Sequence, residues 1–390
     1  MKFFFLLLTS IFLVSCSNNE DEYTNIDSYE QIKATFGNRI DPNNLYNYAN
    51  QSIPNYITKF NGQNNPITNA GATLGRVLFY DKNLSSNNTI SCASCHQQAN
   101  GFSDTAIASQ GVNETTARHS MRLINARFST ESKFFWDERA ASLEIQTTMP
   151  IKDHGEMGFS GTNGDQPFSV LLSKLNDIGY YRELFKLVYG SEEITEIKIQ
   201  NALAQFIRSI QSFDSKYDVG RSQANDNQPF SNFTAQENQG KNLFLTPPQF
   251  NAQGVRIGGG LGCQGCHRAP EFDIDPNSRS NGIGGSINGG ADFTNTRSPS
   301  LRDLVKTNGV TNGPMMHTGV IASLQASVGH YGNLTNAAIN NPNLDPRLKP
   351  NGLGQQLNLN PQEVNSVIAF LQTLSGTNVY TDVKWSNPFQ

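Results

Sequence analysis

Two stretches of this 390-residue chain repeat one arrangement of reactive side chains: "SCASCH", with Cys92, Cys95 and His96, and "GCQGCH", with Cys263, Cys266 and His267. The chain has five cysteines, and the one outside these motifs is Cys16. A Cys-x-x-Cys pair alone could be a disulfide, a redox dithiol or half a zinc site, but none of these uses the histidine directly after the second thiol. Covalent attachment of a c-type haem uses all three groups: the thiols form thioethers and the imidazole ligates the iron. The pattern therefore predicts two covalently bound c-type haems, with His96 and His267 as metal ligands.

The elements that must position these motifs repeat as well. "TLGRVLFYDKNLSSNNTISCASCH" and "NQGKNLFLTPPQFNAQGVRIGGGLGCQGCH" share a Gly-x-x-Leu-Phe-like run, a polar loop and then the motif. Thr234 and Glu237 form a capping box for a helix to about Leu245, and residues 70 to 80 have similar helical character. Between the motifs Ile194, Ile197, Leu203, Phe206, Ile207 and Ile210 recur at helical spacing and read as a core-facing stripe. A last helix is expected from Asn360 as N-cap, Pro361 at the first position and Glu363 at the third, with Gly376 as its stop. With 33 Gly and 17 Pro, the remainder is turn-rich. The expected fold is mainly α: two cytochrome c-like haem domains with long loops and little β-structure.

A net charge of −4 without a dense basic stripe argues against nucleic acid as a partner. The N-terminus has the order of an export signal: Lys2, the apolar run "FFFLLLTSIFLV", then "SC". Leu13-Val14-Ser15-Cys16 resembles the lipobox of bacterial lipoproteins, which implies lipidation of Cys16 and a lipid anchor on the periplasmic side of a membrane or the cell surface. The expected organisation is a signal peptide at 1–16, a polar flexible tether at 17–45, an N-terminal haem domain at 46–225 and a C-terminal haem domain at 226–390.

The segment "KFFWDERAASLEIQTTMPIKDHGEMGF" resembles the "FWDGRA…LEEQ…EMG" region of the bacterial dihaem cytochrome c peroxidases and their MauG-like relatives. "TNTRSPSLRDL" and "GPMMHTGVIASLQASVGHYG" match later segments of the same family, so the resemblance spans roughly residues 65 to 375. It implies that Trp136 lies between the haems, that Gln146 and Glu156 face the peroxide pocket of the N-terminal haem, and that Met316 ligates the C-terminal iron. It further implies H2O2 as substrate, a small cytochrome c or cupredoxin as electron donor, a calcium ion between the domains, and homodimers. Read from the residues alone, Trp136 could be a core aromatic, Glu156 a partner for Arg139, and Met315 the ligand in place of Met316.

His119 departs from the family pattern. It stands where relatives more often carry an Asn of the calcium site, and residues 97 to 118 hold no distal histidine. The N-terminal haem is therefore expected to be open, unless His119 itself swings in, and His154 and His330 read as surface or hydrogen-bonded residues. The leading function is a dihaem peroxidase that reduces H2O2 at the N-terminal haem with electrons delivered through a C-terminal His/Met haem. The alternatives are a MauG-like oxidase of a protein or organic substrate, and a purely electron-transferring dihaem cytochrome.

Overall fold

A computed structural model describes residues 28–390. The expected export signal and Cys16 fall outside the described residues. The first element, α1 (Glu30–Phe36), corrects the expected tether: Ile32 and Phe36, one helical turn apart, and Ile40 just beyond the helix are buried in the first core. The chain thus becomes part of the fold well before residue 45.

α2 (Asn69–Tyr80) is capped by Thr68, whose side chain accepts from the Gly71 amide, and leads to the first motif, where α3 (Cys92–Cys95) is a single turn. α4 (Leu143–Thr148), α5 (Phe168–Asn176), α6 (Gly179–Tyr189) and α7 (Glu196–Ser209) complete the first half. α8 (Lys216–Arg221) joins it to the second, in which α9 (Ala235–Leu245) carries the expected Thr234/Glu237 capping box. After the second motif come α10 (Leu324–Gly332), α11 (Asn336–Ile339) and α12 (Pro361–Gln372), the last with its Asn360/Glu363 box. Strands are few among the described residues: β1 (Pro248–Phe250) pairs antiparallel with β2 (Arg256–Gly259), and β3 (His267–Arg268) with β4 (Asp273–Ile274). No helix among the described residues is long and apolar enough to cross a membrane.

Each half is built on one helix crossing. α2 packs on α7 through Leu74, Val77 and Leu78 against Leu203, Phe206 and Ile207, all buried in the first core. α9 packs on α12 in the same way, with Phe244 and Phe370 at 5.3 Å between ring centroids in the second core. Both crossings pass over a glycine. A Cβ on Gly75 would lie 2.0 Å from the Ala202 carbonyl oxygen, and one on Gly240 would lie 1.8 Å from that of Ser366. These are the glycines of the repeated Gly-x-x-Leu-Phe-like run, so that repeat encodes backbone approach. Gly75→Ala is expected to lower stability by roughly 1–3 kcal/mol, the usual cost of overpacking, read as a lower midpoint in denaturant unfolding.

Two details differ from the sequence reading. Ile197, in the first turn of α7, is 68% exposed and does not belong to the stripe, whereas Leu203, Phe206, Ile207 and Ile210 do. α12 ends at Gln372, before Gly376, whose amide instead donates to Asp303 Oδ1 at 2.9 Å. Beyond α12 the chain returns to the first half: Val379 and Trp385 are buried in its core, and Trp385 Nε1 donates to Ser209 Oγ at 3.2 Å.

Candidate active site

Each motif opens onto a cavity, of about 490 Å³ beside Cys92, Cys95 and His96 and about 910 Å³ beside Cys263, Cys266 and His267. Both fall in the size range of cofactor sites. Burial pushes the Cys92 thiol up to about 12 and the Cys263 thiol likewise to about 12, so neither pair is poised as a thiolate. Burial also holds the His96 and His267 imidazoles below their ordinary range, in the neutral form that can ligate a metal. His96 Nδ1 lies 3.2 Å from the Phe102 carbonyl, a contact that helps to fix the ring.

Gln146, Glu156 and Trp136 all line the first cavity. Gln146 is presented by α4, which Ser142 caps and which the Glu144–Arg208 ion pair fastens to α7. Glu156 sits on a loop held at both ends: its amide donates to Asp153 Oδ1 at 3.0 Å, and its carbonyl accepts from Val112 at 2.9 Å. Burial, with the nearby Asp153 charge adding to it and Arg139 opposing, raises the Glu156 carboxyl to about 7. Arg139 is not held by this carboxylate. Its guanidinium pairs with Asp137 at 2.9 Å and lies over the Phe135 ring at 3.6 Å.

Trp136 lines both cavities. Its Nε1 donates to the His119 carbonyl at 2.7 Å, and the His119 amide donates to the His317 carbonyl at 2.8 Å. The Trp136 and His317 rings meet edge to face at 6.2 Å. The indole therefore meets the ring of the residue that follows Met316. The His119 ring is turned away from any ligating role: Nδ1 is 3.0 Å from the Ala106 carbonyl and Nε2 is 3.4 Å from Ser103 Oγ. His154 pairs with Asp165 at 3.0 Å, and His330 Nε2 lies 2.8 Å from the Asn281 carbonyl.

In the second cavity the two methionines separate. Met315 is 6% exposed within the apolar core, while Met316 is half-buried and has its sulfur 3.1 Å from Asn281 Nδ2. Asn281 Oδ1 accepts from the Ile283 amide at 3.1 Å, which fixes the amide so that its NH2 faces the sulfur. Met316 has φ of 67°, a left-handed conformation that a methionine adopts only where surrounding structure imposes it.

The two walls also hold arginines that sequence patterning alone does not single out. Arg122 and Arg297 line both cavities; Arg122 Nε and Arg297 Nη1 are buried with no hydrogen-bond partner among the described residues. A buried guanidinium lacking an anion is costly, and a haem brings two carboxylates to such a site. Thiols, neutral imidazoles, apolar walls and arginines without a salt-bridge carboxylate among the described residues together fit the haem that each motif implies. No His/Cys/Asp/Glu group of three or more among the described residues is arranged to hold a metal ion.

Residues 69–226 match the model of the di-haem cytochrome c peroxidase family. The chain is 30% identical over 321 residues to the methylamine utilization protein MauG of Methylophilus methylotrophus, covering 80% of this chain and 84% of that one. It is 28% identical over 329 residues to the cytochrome c551 peroxidase of Nitrosomonas europaea, covering 78% and 80%. Among solved structures, a MauG-like protein associated with microbial copper homeostasis superposes with a TM-score of 0.65 at 25% identity, covering 87% of this chain and 99% of that one. The diheme peroxidase BthA of Burkholderia thailandensis shares the fold, with a TM-score of 0.57 at 19% identity over 86% and 94% of the two chains. Two haem-attachment motifs, each beside its own cavity and joined by Trp136, are thus carried on a chain that belongs to the di-haem cytochrome c peroxidase and MauG family, a family of peroxidase-type oxidoreductases.

Proposed function

We propose that this protein reduces H2O2 to water in the cavity beside His96, using electrons that arrive through the haem beside His267. The observation that carries this reading is Glu156, a half-buried carboxyl raised to about 7 in the same cavity as Cys92, Cys95 and His96. A haem held by Cys92, Cys95 and His96 would supply the electrons and the binding position for peroxide. This chain's own residues do the rest. Glu156 takes a proton from one peroxide oxygen and delivers it to the other, which leaves as water; Gln146 orients the peroxide. The balance is H2O2 plus two protons and two electrons giving two waters.

His267 and Met316 are proposed as the two ligands of the C-terminal iron. A methionine ligand together with histidine would favour the reduced iron and raise its potential, which suits a centre that stores an electron. The Asn281 donor on the Met316 sulfur would add to that preference. The thioether at position 316 is itself what favours the peroxidase over a MauG-like oxidase. Trp136 mediates between the centres. The tethering of the His119 ring to Ala106 and Ser103 supports an N-terminal haem that is open in the oxidised protein.

The proposal extends to a small cytochrome c or cupredoxin as donor, and to export as a lipoprotein anchored at Cys16. Absorption and EPR spectra of the oxidised and one-electron-reduced protein, each with and without H2O2, test the reading. A high-spin centre beside a low-spin His/Met centre, consumed rapidly by peroxide, is expected; two low-spin centres inert to peroxide in both states would leave an electron carrier.

The Glu156 carboxyl gives a pH dependence with a definite sign. Below about 7 it holds its own proton and cannot accept that of peroxide. The second-order rate with H2O2 should therefore rise about tenfold per pH unit on the acid side and level off above the Glu156 value, as stopped-flow measurements across this range would show.

A further inference from the structure

The loop that carries Met316 has a copy in the first half. Met315 bridges antiparallel to Ile321, and Phe134 bridges in the same way to Ala140. In the first loop Phe135 and Glu138 have φ of 70° and 58°; in the second Met316 and Gly319 have 67° and 62°. The turn closes alike in both, with Glu138 N donating to the Phe135 carbonyl at 3.2 Å and Gly319 N to that of Met316 at 3.1 Å. Each loop then enters a helix through a serine N-cap, Ser142 for α4 and Ser323 for α10. The residues after the left-handed pair, Trp136 and His317, face one another across the interface.

In this register Phe135 stands where Met316 stands, and each lines the cavity of its own half. A phenyl ring offers no lone pair to a metal, whereas a thioether does. We infer that Phe135 is the residue that keeps the N-terminal haem open: the first half retains the ligand-bearing loop with a non-ligating side chain at its ligand position. The Arg139 guanidinium, 3.6 Å from the Phe135 ring centroid, holds the ring in place from the exposed side. Phe135 is therefore a positioning residue that decides whether a haem in this half reacts or only conducts. This deepens the proposed function and rests on it.

The test is Phe135→Met in the full-length, haem-loaded protein, with Phe135→His as a second ligating variant and Phe135→Leu as a non-ligating control of similar bulk. Haem content measured by absorbance shows that each variant has folded and matured. Met or His at position 135 is expected to convert the high-spin ferric signal of the N-terminal haem to a low-spin one, with loss of the peroxide reaction; Leu is expected to leave the high-spin signal in place. A high-spin centre that persists in both ligating variants, beside a wild-type protein that is itself high-spin and reactive, overturns this inference and leaves the peroxidase reading standing. A wild-type protein with no high-spin centre, oxidised or half-reduced, overturns the peroxidase reading first.

Discussion

Glu156→Gln is expected to leave both haems attached and to lower H2O2 turnover by about 10²- to 10⁴-fold, the range typical of removing a positioned acid–base group. The substitution keeps the shape of the side chain and its hydrogen-bonding length but cannot carry a proton at any accessible pH. The loop should hold, because its anchors are the backbone contacts to Asp153 and Val112 and the Arg139 guanidinium is engaged elsewhere. Linkage points the same way. The folded carboxyl titrates at about 7 against an ordinary value of 4.5, so folding binds a proton between these values and stability falls as pH rises through that window. Glutamine removes this penalty, so the variant should be at least as stable as the wild type above neutrality. A loss of turnover with unchanged or higher thermal midpoint would separate chemistry from structure; unchanged turnover would remove Glu156 from the mechanism. The acid limb of the pH profile should vanish with it.

Met316→Leu is the second large effect. Removing the thioether leaves His267 as the single protein ligand of the C-terminal iron, and the potential of that centre should fall by roughly 0.1 V or more, since axial ligands move haem potentials over about 0.8 V. Turnover with the electron donor should then collapse, because the centre no longer accepts an electron readily, while haem attachment at Cys263 and Cys266 persists. Potentiometric titration of the two haems, with EPR of the ferric state, measures both changes. If the potential and the low-spin signal survived, Met316 would not be the ligand, and Met315, buried in the apolar core, could not replace it without repacking. Leucine approximates the volume of methionine, so the fold should tolerate it.

The haem motifs, the capping boxes at Thr234 and Asn360 and the two-half architecture were legible because each is a local pattern: adjacent thiols and imidazole, or a side chain reaching an amide three residues away. Gln146, Glu156 and Met316 were reachable only through resemblance, since a lone glutamate carries no local mark of the burial that raises it. Arg122, Arg297 and Asn281 escaped altogether, because what defines them is an unpartnered buried atom or a sulfur contact between residues 35 positions apart. Ile197 shows the reverse failure, where helical spacing at the first turn of α7 counted a residue that faces outward. The α1 stripe was overlooked because its apolar residues are sparse in a polar run, yet Ile32 and Phe36 find a complete core already waiting.

The return of the C-terminal tail bears on the order in which this chain can mature. Trp385 and Val379 fill the first core, Arg76 Nε donates to the Ser386 carbonyl at 2.6 Å, and Gln98 Nε2, two residues past His96, donates to the carbonyls of Val379 at 3.2 Å and Asp382 at 3.0 Å. The half that is synthesised first is thus closed by residues that follow the second half in the sequence. The first attachment motif stays unbraced until the segment past α12 has been made, which gives the attachment chemistry a period of access before the segment locks. Once it has locked, the first half can open fully only if this tail comes away from its core.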